Sequence, residues 1–295
     1  MRQARLIAYP PDSGAAIVRS LAPDGVLRIG RANDCDLILE HASISRAHAE
    51  LRGEAGGWRL RDLGSKNGSF IDGRATSDAV LEHTCWLRFG DVHCEFSVLD
   101  AAQAAALSAH QQSRHAQSQA WVRRIGGQAH FHAMLDDTLR GVLDLAGCSR
   151  GFMLMAQGDD YVVCASKTID ARAMNARTFS GSIGAVQRAL EQRKPIAINQ
   201  IDSEPWLAGR ASVIGLGLQS LVCLPLLDGE RVLGAVYADR SEPGEPITQL
   251  DLELLNAFAE SAAVWMLAGQ AIDTLDNAPR WKTIVSAHTR EGHIA

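Results

Sequence analysis

The chain has 295 residues, 46% of them hydrophobic and 21% charged, with a formal net charge of −5. That length favours about two domains of roughly 100–200 residues each, with apolar material for two cores. An acidic balance argues against a nucleic-acid backbone as partner, since such binders present a basic face; residues 1–99 hold 12 basic against 13 acidic side chains. No two of Cys35, Cys85, Cys94, Cys148, Cys164 and Cys223 have CxxC spacing, which argues against a zinc ribbon or a redox dithiol. No apolar run reaches the roughly 18 residues of a membrane span, and the first residues lack the apolar core of a signal peptide. The expectation is a cytoplasmic protein with reduced thiols and no membrane or nucleic-acid partner.

In chain order, Leu6-Ile7-Ala8-Tyr9, Val26-Leu27-Arg28-Ile29 and Leu37-Ile38-Leu39 read as buried or half-buried strands. Trp58-Arg59-Leu60-Arg61 and Cys94-Glu95-Phe96-Ser97-Val98 alternate apolar with polar residues, and Gly56-Gly57, Asn67-Gly68 and Asp72-Gly73 supply turns. Period-two patterning between closely spaced turns predicts an all-β sandwich. Residues 101–120 then change character, with eight alanines, five glutamines and Arg114 as the one formal charge. They predict a helical or partly frayed connector with little to bury. From about residue 128, a helix (Phe131 to Leu145) is followed by strands at Gly151–Ala156 and Tyr161–Ala165. A second helix leads to Pro195-Ile196-Ala197-Ile198. Two more apolar strands precede a last helix carrying Leu254, Leu255, Phe258, Ala262, Trp265 and Ile272 on one side. This order predicts an α+β or α/β unit around one sheet.

Three short pieces fall at turns between the early strands: Gly30-Arg31, Ser45-Arg46-Ala47-His48 and Ser65-Lys66-Asn67-Gly68. Together they offer a guanidinium fork, small hydroxyls, further cations and an amide. That set suits a dianionic phosphate on an extended peptide, because charge-assisted hydrogen bonds need donors converging from several loops. Asn67 can bond a peptide main chain as donor and acceptor, although Asn-Gly is also a common turn dipeptide. In this order and spacing the pieces resemble the forkhead-associated (FHA) domain, a phosphothreonine-peptide reader, over about the first hundred residues. The resemblance implies phosphate contacts from Arg31, Ser45, Arg46, Ser65 and Lys66, a main-chain contact from Asn67, and supporting roles for Gly30, His48 and Gly68. It also implies a phosphothreonine-bearing protein partner and an upstream Ser/Thr protein kinase.

The second half resembles a GAF domain, through Ser180-Gly181-Ser182-Ile183, Arg193-Lys194-Pro195-Ile196, Ser220-Leu221-Val222-Cys223-Leu224-Pro225-Leu226, Leu233 to Arg240, and the helix from Asp251 to Ala259. The fold expected is therefore multidomain: an all-β FHA-type sandwich (1–100), a helical connector (101–127), an α+β GAF-type domain (128–270) and a tail (271–295). Resemblance to GAF domains implies a small-molecule cavity beside the sheet under residues 199–219, with Trp206, Arg210 and Ser220 as pocket residues, but it names no ligand or cofactor. Gly215-x-Gly217 reads as a turn, since it lacks the strand–GxGxxG–helix context. The cyclic-nucleotide signature is broken: Asn199-Gln200 lacks its lysine, Ile247 replaces a phenylalanine, and no Asp-Glu pair follows. His130 and His132, two apart on a helix, face different sides and make a poor metal pair.

The resulting expectation is a signalling adaptor, not an enzyme, whose GAF-type half senses a small molecule or dimerises. The last helix, around Trp265–Leu275, is expected to pair with a second copy. Two rivals stand beside it. One is a regulatory subunit for transcription acting in trans. The other is a GAF-type methionine sulfoxide reductase using Cys148, Cys164 or Cys223, although thiols within apolar strands behave as small hydrophobes.

Overall fold

A computed structural model describes residues 3–11, 14–55, 57–128, 130–169, 183–199 and 219–276. Alternating burial along the early sequence produces strands β1 (Gln3–Tyr9), β2 (Ile17–Leu21), β3 (Val26–Gly30), β4 (Leu37–Ile38), β5 (Ala49–Glu54), β6 (Gly57–Asp62), β7 (Ser69–Ile71), β8 (Arg74–Thr76), β9 (Asp78–Leu81), β10 (Cys85–Phe89) and β11 (Val92–Leu99). They form two sheets, in the orders β2-β1-β11-β10-β7-β8 and β4-β3-β5-β6-β9. In β6, Trp58 and Leu60 point inward while Arg59 and Arg61 point out. Trp58 meets Phe96 of β11 edge-on, with ring centroids 6.1 Å apart, so the two sheets close over one aromatic contact.

The rest of the described chain supplies α1 (Ala101–Gly126), α2 (Phe131–Ala146), β12 (Arg150–Gln157), β13 (Asp160–Lys167), α3 (Ile183–Gln192), β14 (Ile196–Asn199), β15 (Ser220–Asp228), β16 (Arg231–Arg240) and α4 (Gln249–Asp276). The strands make one antiparallel sheet, β13-β12-β16-β15-β14. Side-chain alternation divides its faces. Val222, Leu224 and Val236 pack toward α2 and α4, whereas Leu221, Cys223 and Tyr237 pack toward α3.

The alanine-rich stretch is helical through Gly126. Asp100 caps it, accepting from the Gln103 backbone N–H while the Gln103 side chain accepts from the Asp100 N–H. Only Ser118 and Ile125 of α1 are buried, yet the helix lies along α2 and α4 through polar side chains. Arg114 pairs with Asp251 at 2.7 Å and donates to the Leu145 carbonyl. Trp121 Nε1 donates to Asp144 at 2.9 Å, and Arg124 Nε donates to the almost fully buried Asp137 at 2.9 Å. The connector is therefore seated by hydrogen bonds together with apolar packing of Trp121, Val122 and Ile125 at its C-terminal end.

The two halves also meet along a seam. The Ala16 N–H donates to the Ile247 carbonyl at 2.9 Å, and the Gln249 N–H donates to the Ala16 carbonyl at 2.8 Å, making a parallel bridge between Ala16 and Thr248. Asn199 closes it: Nδ2 donates to the carbonyls of Gly14 (2.8 Å) and Ile247 (2.9 Å), and Oδ1 accepts from the Ile247 N–H (2.8 Å). Gly14 has φ +59°, and a Cβ there would stand 1.6 Å from the Ala197 carbonyl oxygen, so the approach admits no side chain. Among the described residues no helix is long and apolar enough to cross a membrane.

Candidate functional site

The loops leaving β3, preceding β5 and following β6 converge on Ser45. Its carbonyl accepts the Arg31 N–H at 3.0 Å, its hydroxyl oxygen accepts the Lys66 N–H at 3.0 Å, and its own N–H donates to His48 Nδ1 at 3.1 Å. Gly30 makes this approach possible, because a Cβ there would lie 2.2 Å from the Arg46 carbonyl oxygen. Arg31 is exposed, and its Nε donates to the Ile44 carbonyl at 3.3 Å. That bond fixes the guanidinium while its terminal nitrogens bond no acceptor among the described residues. Arg46 and Lys66 are exposed nearby. Three cations and the Ser45 hydroxyl proton thus share one rim, a donor set matched to an oxyanion.

His48 is fully buried and ties the loops from beneath. Nδ1 accepts from Ser45, so Nε2 carries the proton and donates to the Gly68 carbonyl at 3.1 Å. Burial holds its pKa below the ordinary value, more than the Gly68 carbonyl and Asp62 raise it. A neutral imidazole serving two backbone groups is a loop clamp.

The third loop departs from expectation in how its polar groups are used. Ser65 Oγ donates to Asp62 Oδ2 at 2.7 Å and accepts the Gly68 N–H at 3.0 Å. Its proton lies inside the turn, on Asp62, so Ser65 helps to shape the loop. Asn67 Nδ2 donates to the Ser43 carbonyl at 2.8 Å, which spends one donor on joining the loops. Lys66 stays at the rim, and Gly68 takes φ +75°.

Composition and spacing did not single out Asp62, Ser43 or Gly90. Asp62 accepts from the N–H groups of Gly64 (2.9 Å) and Ser65 (2.8 Å) and from the hydroxyls of Ser65 (2.7 Å) and Ser69 (2.6 Å). Burial opposes its ionisation, but these bonds outweigh it and hold the carboxyl below the usual range. Ser43 Oγ accepts the Asp91 N–H at 2.8 Å, bringing the β10–β11 turn to the cluster, and a Cβ on Gly90 would strike that oxygen at 2.5 Å. An Asp two residues before a glycine at a strand end was the readable signal for Asp62.

Family models match an FHA domain over residues 27–90 and a GAF domain over residues 130–266. The chain carries an FHA domain followed by a GAF domain. Among curated relatives, the ABC transporter ATP-binding/permease protein Rv1747 of Mycobacterium tuberculosis is 37% identical over 75 residues, 25% of this chain and 9% of that protein. Glycogen accumulation regulator GarA of Mycolicibacterium smegmatis is 31% identical over 86 residues, 29% of this chain and 52% of GarA. The chain thus spans about half of GarA and a small part of the transporter protein. The solved Mycobacterium tuberculosis Rv1747 FHA-1 domain is 26% identical, covering 33% of this chain and 98% of that one, with TM-score 0.29.

In the GAF domain, Trp206 and Arg210 lie outside the described residues, as do Ser180-Gly181-Ser182 and residues 200–218. Ser220 is buried, and its place in β15 turns it to the same face as Val222, toward α2 and α4 rather than α3. Its hydroxyl donates to Asn199 Oδ1 and accepts from Arg240 Nη2, both at 3.2 Å, so it belongs to the seam. On the α3 face, Phe152 and Tyr237 stack with centroids 5.0 Å apart among aliphatic neighbours. Among the described residues no cluster of His, Cys, Asp and Glu is arranged to hold a metal ion.

Proposed function

We propose that the FHA domain binds a phosphothreonine-bearing segment of a protein partner, phosphorylated by a Ser/Thr kinase, and that the chain acts as a cytoplasmic signalling adaptor. What supports this is the convergence on Ser45: three loops bring Arg31, Arg46, Lys66 and a free hydroxyl proton to one rim above the His48 clamp. In this proposal Arg31 forks onto the phosphate, Ser45 donates to it, Arg46 and Lys66 add charge, and Asn67 meets the peptide main chain with its remaining amide groups. Ser65 acts through the loop. The proposed boundaries are 1–100 for the reader, 101–127 for the connector and 128–270 for the GAF unit.

The GAF domain is proposed to regulate, by sensing a small molecule or by dimerising, and not to catalyse. Desolvation pushes the thiols of Cys148 and Cys223 up to about 12 and raises that of Cys164, which leaves little thiolate for a reductase nucleophile at neutral pH. Val264 and Trp265 of α4 are exposed at 65% and 42%, a surface suited to a second copy. Light scattering at micromolar concentration checks this, and a monomer there would remove the dimer.

The deciding experiment for the reader is Arg31→Ala. Losing a bidentate charged contact removes about 2–3 kcal/mol, so phosphothreonine-peptide affinity should fall roughly 30- to 150-fold. Calorimetry with phosphorylated and unphosphorylated peptides measures it. Equal binding of both peptides, or no loss in the variant, refutes the assignment.

A further inference from the structure

A cleft of about 970 Å³ opens where the outer face of β1 and β2, the helix α1 and the turn from β16 into α4 come together. It lies outside the FHA loops and on the other side of the GAF sheet from α3. Arg5 and Arg19 line it from the sandwich, Arg114 from α1, and Arg240 from the end of β16. Glu245, Asp251 and Glu253 face the same space, so arginines outnumber carboxylates there, and the exposed His110 of α1 adds a further donor.

Three of these arginines carry a buried Nε that finds no partner among the described residues. Arg240 is 7% exposed; Nη1 donates to the Gly147 carbonyl at 3.2 Å and Nη2 to Ser220 and to the Glu245 carbonyl, but its buried Nε has no partner. Arg114 is held by Asp251 and the Leu145 carbonyl, and its buried Nε is also without a partner. Arg5 is the loosest. Its Nε is buried and unpaired, and its terminal nitrogens stand 3.9 Å from Glu95 and 3.8 Å from Glu245, beyond hydrogen-bond length. Buried guanidinium donors without acceptors carry an uncompensated desolvation cost, so three on the walls of one cleft mark a place where an oxyanion would be stabilised.

We propose that this interdomain cleft binds a small anionic metabolite, one carrying phosphate or carboxylate groups on an organic body larger than an inorganic ion. The anionic groups are placed by the charge of Arg5, Arg114 and Arg240, with Arg5 turning inward from its long ion pairs. The body is placed by Ile7, Val18, Leu107, Pro246 and Leu250, which supply apolar wall between the polar groups. The volume lies in the range of metabolite sites and far exceeds what an inorganic ion fills. Because the walls belong to both domains and to α1, an occupant stabilises one relative placement of the FHA and GAF units. This site does not depend on the phosphopeptide assignment.

The test uses the full chain with AMP, citrate and inorganic phosphate as probes, each against sodium chloride of matched ionic strength. AMP or citrate at about 5 mM should raise the unfolding midpoint by about 3–5 °C beyond the salt control, with inorganic phosphate weaker than either. A preference for AMP identifies a phosphoester ligand, and a preference for citrate a carboxylate one. Arg5→Gln should weaken the calorimetric affinity about tenfold or more, and Leu107→Trp, which fills the cleft without removing charge, should abolish it. Both variants should keep the wild-type phosphothreonine-peptide affinity. No stabilisation by AMP or citrate beyond salt overturns the proposal. So does binding that survives both cleft variants or is lost only in Arg31→Ala, which would place the anion at the FHA loops.

Discussion

The FHA loops and the α3 face of the GAF domain differ in what holds them together. In the loops, nearly every polar group is matched to a named partner: Ser45 to Arg31, Lys66 and His48, Asp62 to Ser65 and Ser69, Asn67 to Ser43. On the α3 face, stacked rings and aliphatic side chains meet mainly through apolar contact, with the Tyr237 hydroxyl donating to Asp239 at 2.7 Å. A hydrogen-bonded site constrains residue type at each position, because donors and acceptors must match; an apolar layer constrains mainly volume. Chemistry is therefore written into the first region, and the second admits many ligands or none.

The contrast can be broken most severely at the seam, where close backbone approach leaves no slack. Gly14→Val would force a Cβ to within 1.6 Å of the Ala197 carbonyl oxygen at φ +59°. Separation of the two backbones should cost about 2–4 kcal/mol. It should appear as a lowered unfolding midpoint and as faster amide exchange at Ile247 and Gln249, with phosphopeptide affinity nearly unchanged.

Equal in size is His48→Ala, which leaves the Ser45 N–H and the Gly68 carbonyl without their partner and opens a void beneath the loops. A loss of about 2–4 kcal/mol is expected in denaturant unfolding. Unlike Gly14→Val, it should weaken phosphopeptide binding as well, since the loops lose their clamp.

Acid should act on the FHA loops in two stages. His48 has a lowered folded pKa, so the unfolded chain takes up its proton first, and stability should fall as pH drops below about 6.5. Asp62 also has a lowered folded pKa; its contribution is complete above the unfolded value of about 3.9 and fades as pH falls through that value toward the folded one. A pH series of unfolding midpoints should show the first decline vanish in His48→Gln and the second diminish in Asp62→Asn.

The finest distinction separates the two serines. Ser45→Ala should reduce phosphopeptide affinity by about 1 kcal/mol, roughly fivefold. Ser65→Ala should cost about 1 kcal/mol of fold stability through Asp62 and the Gly68 N–H. If Ser65→Ala weakens binding while stability holds, Ser65 touches the phosphate after all.

Much of the fold could be read from the sequence. Alternation at Trp58-Arg59-Leu60-Arg61 gave a strand of the sandwich, and the apolar run at 220–226 gave β15. The loop residues were legible as a set because small hydroxyls, cations and Asn-Gly sit at turns. Two things stayed hidden. Whether a serine proton faces a ligand or an aspartate depends on a side chain three residues away, which separates Ser45 from Ser65. How α1 docks was equally invisible, because the partners of Arg114, Trp121 and Arg124, namely Asp251, Asp144 and Asp137, are brought alongside from distant parts of the chain.

The Ala16–Thr248 bridge has a bearing on how this protein can be dissected. The strand edge that meets the GAF unit belongs to the hairpin between β1 and β2, not to the covalent link at residues 100–127. Cutting the chain at that link frees two pieces that each keep an unpaired ladder edge and half of the Asn199 clamp. Mixed in solution, the pieces carry complementary halves of one broken ladder, so co-elution of fragments 1–127 and 128–295 would recover by affinity what the peptide bond supplies in the intact chain.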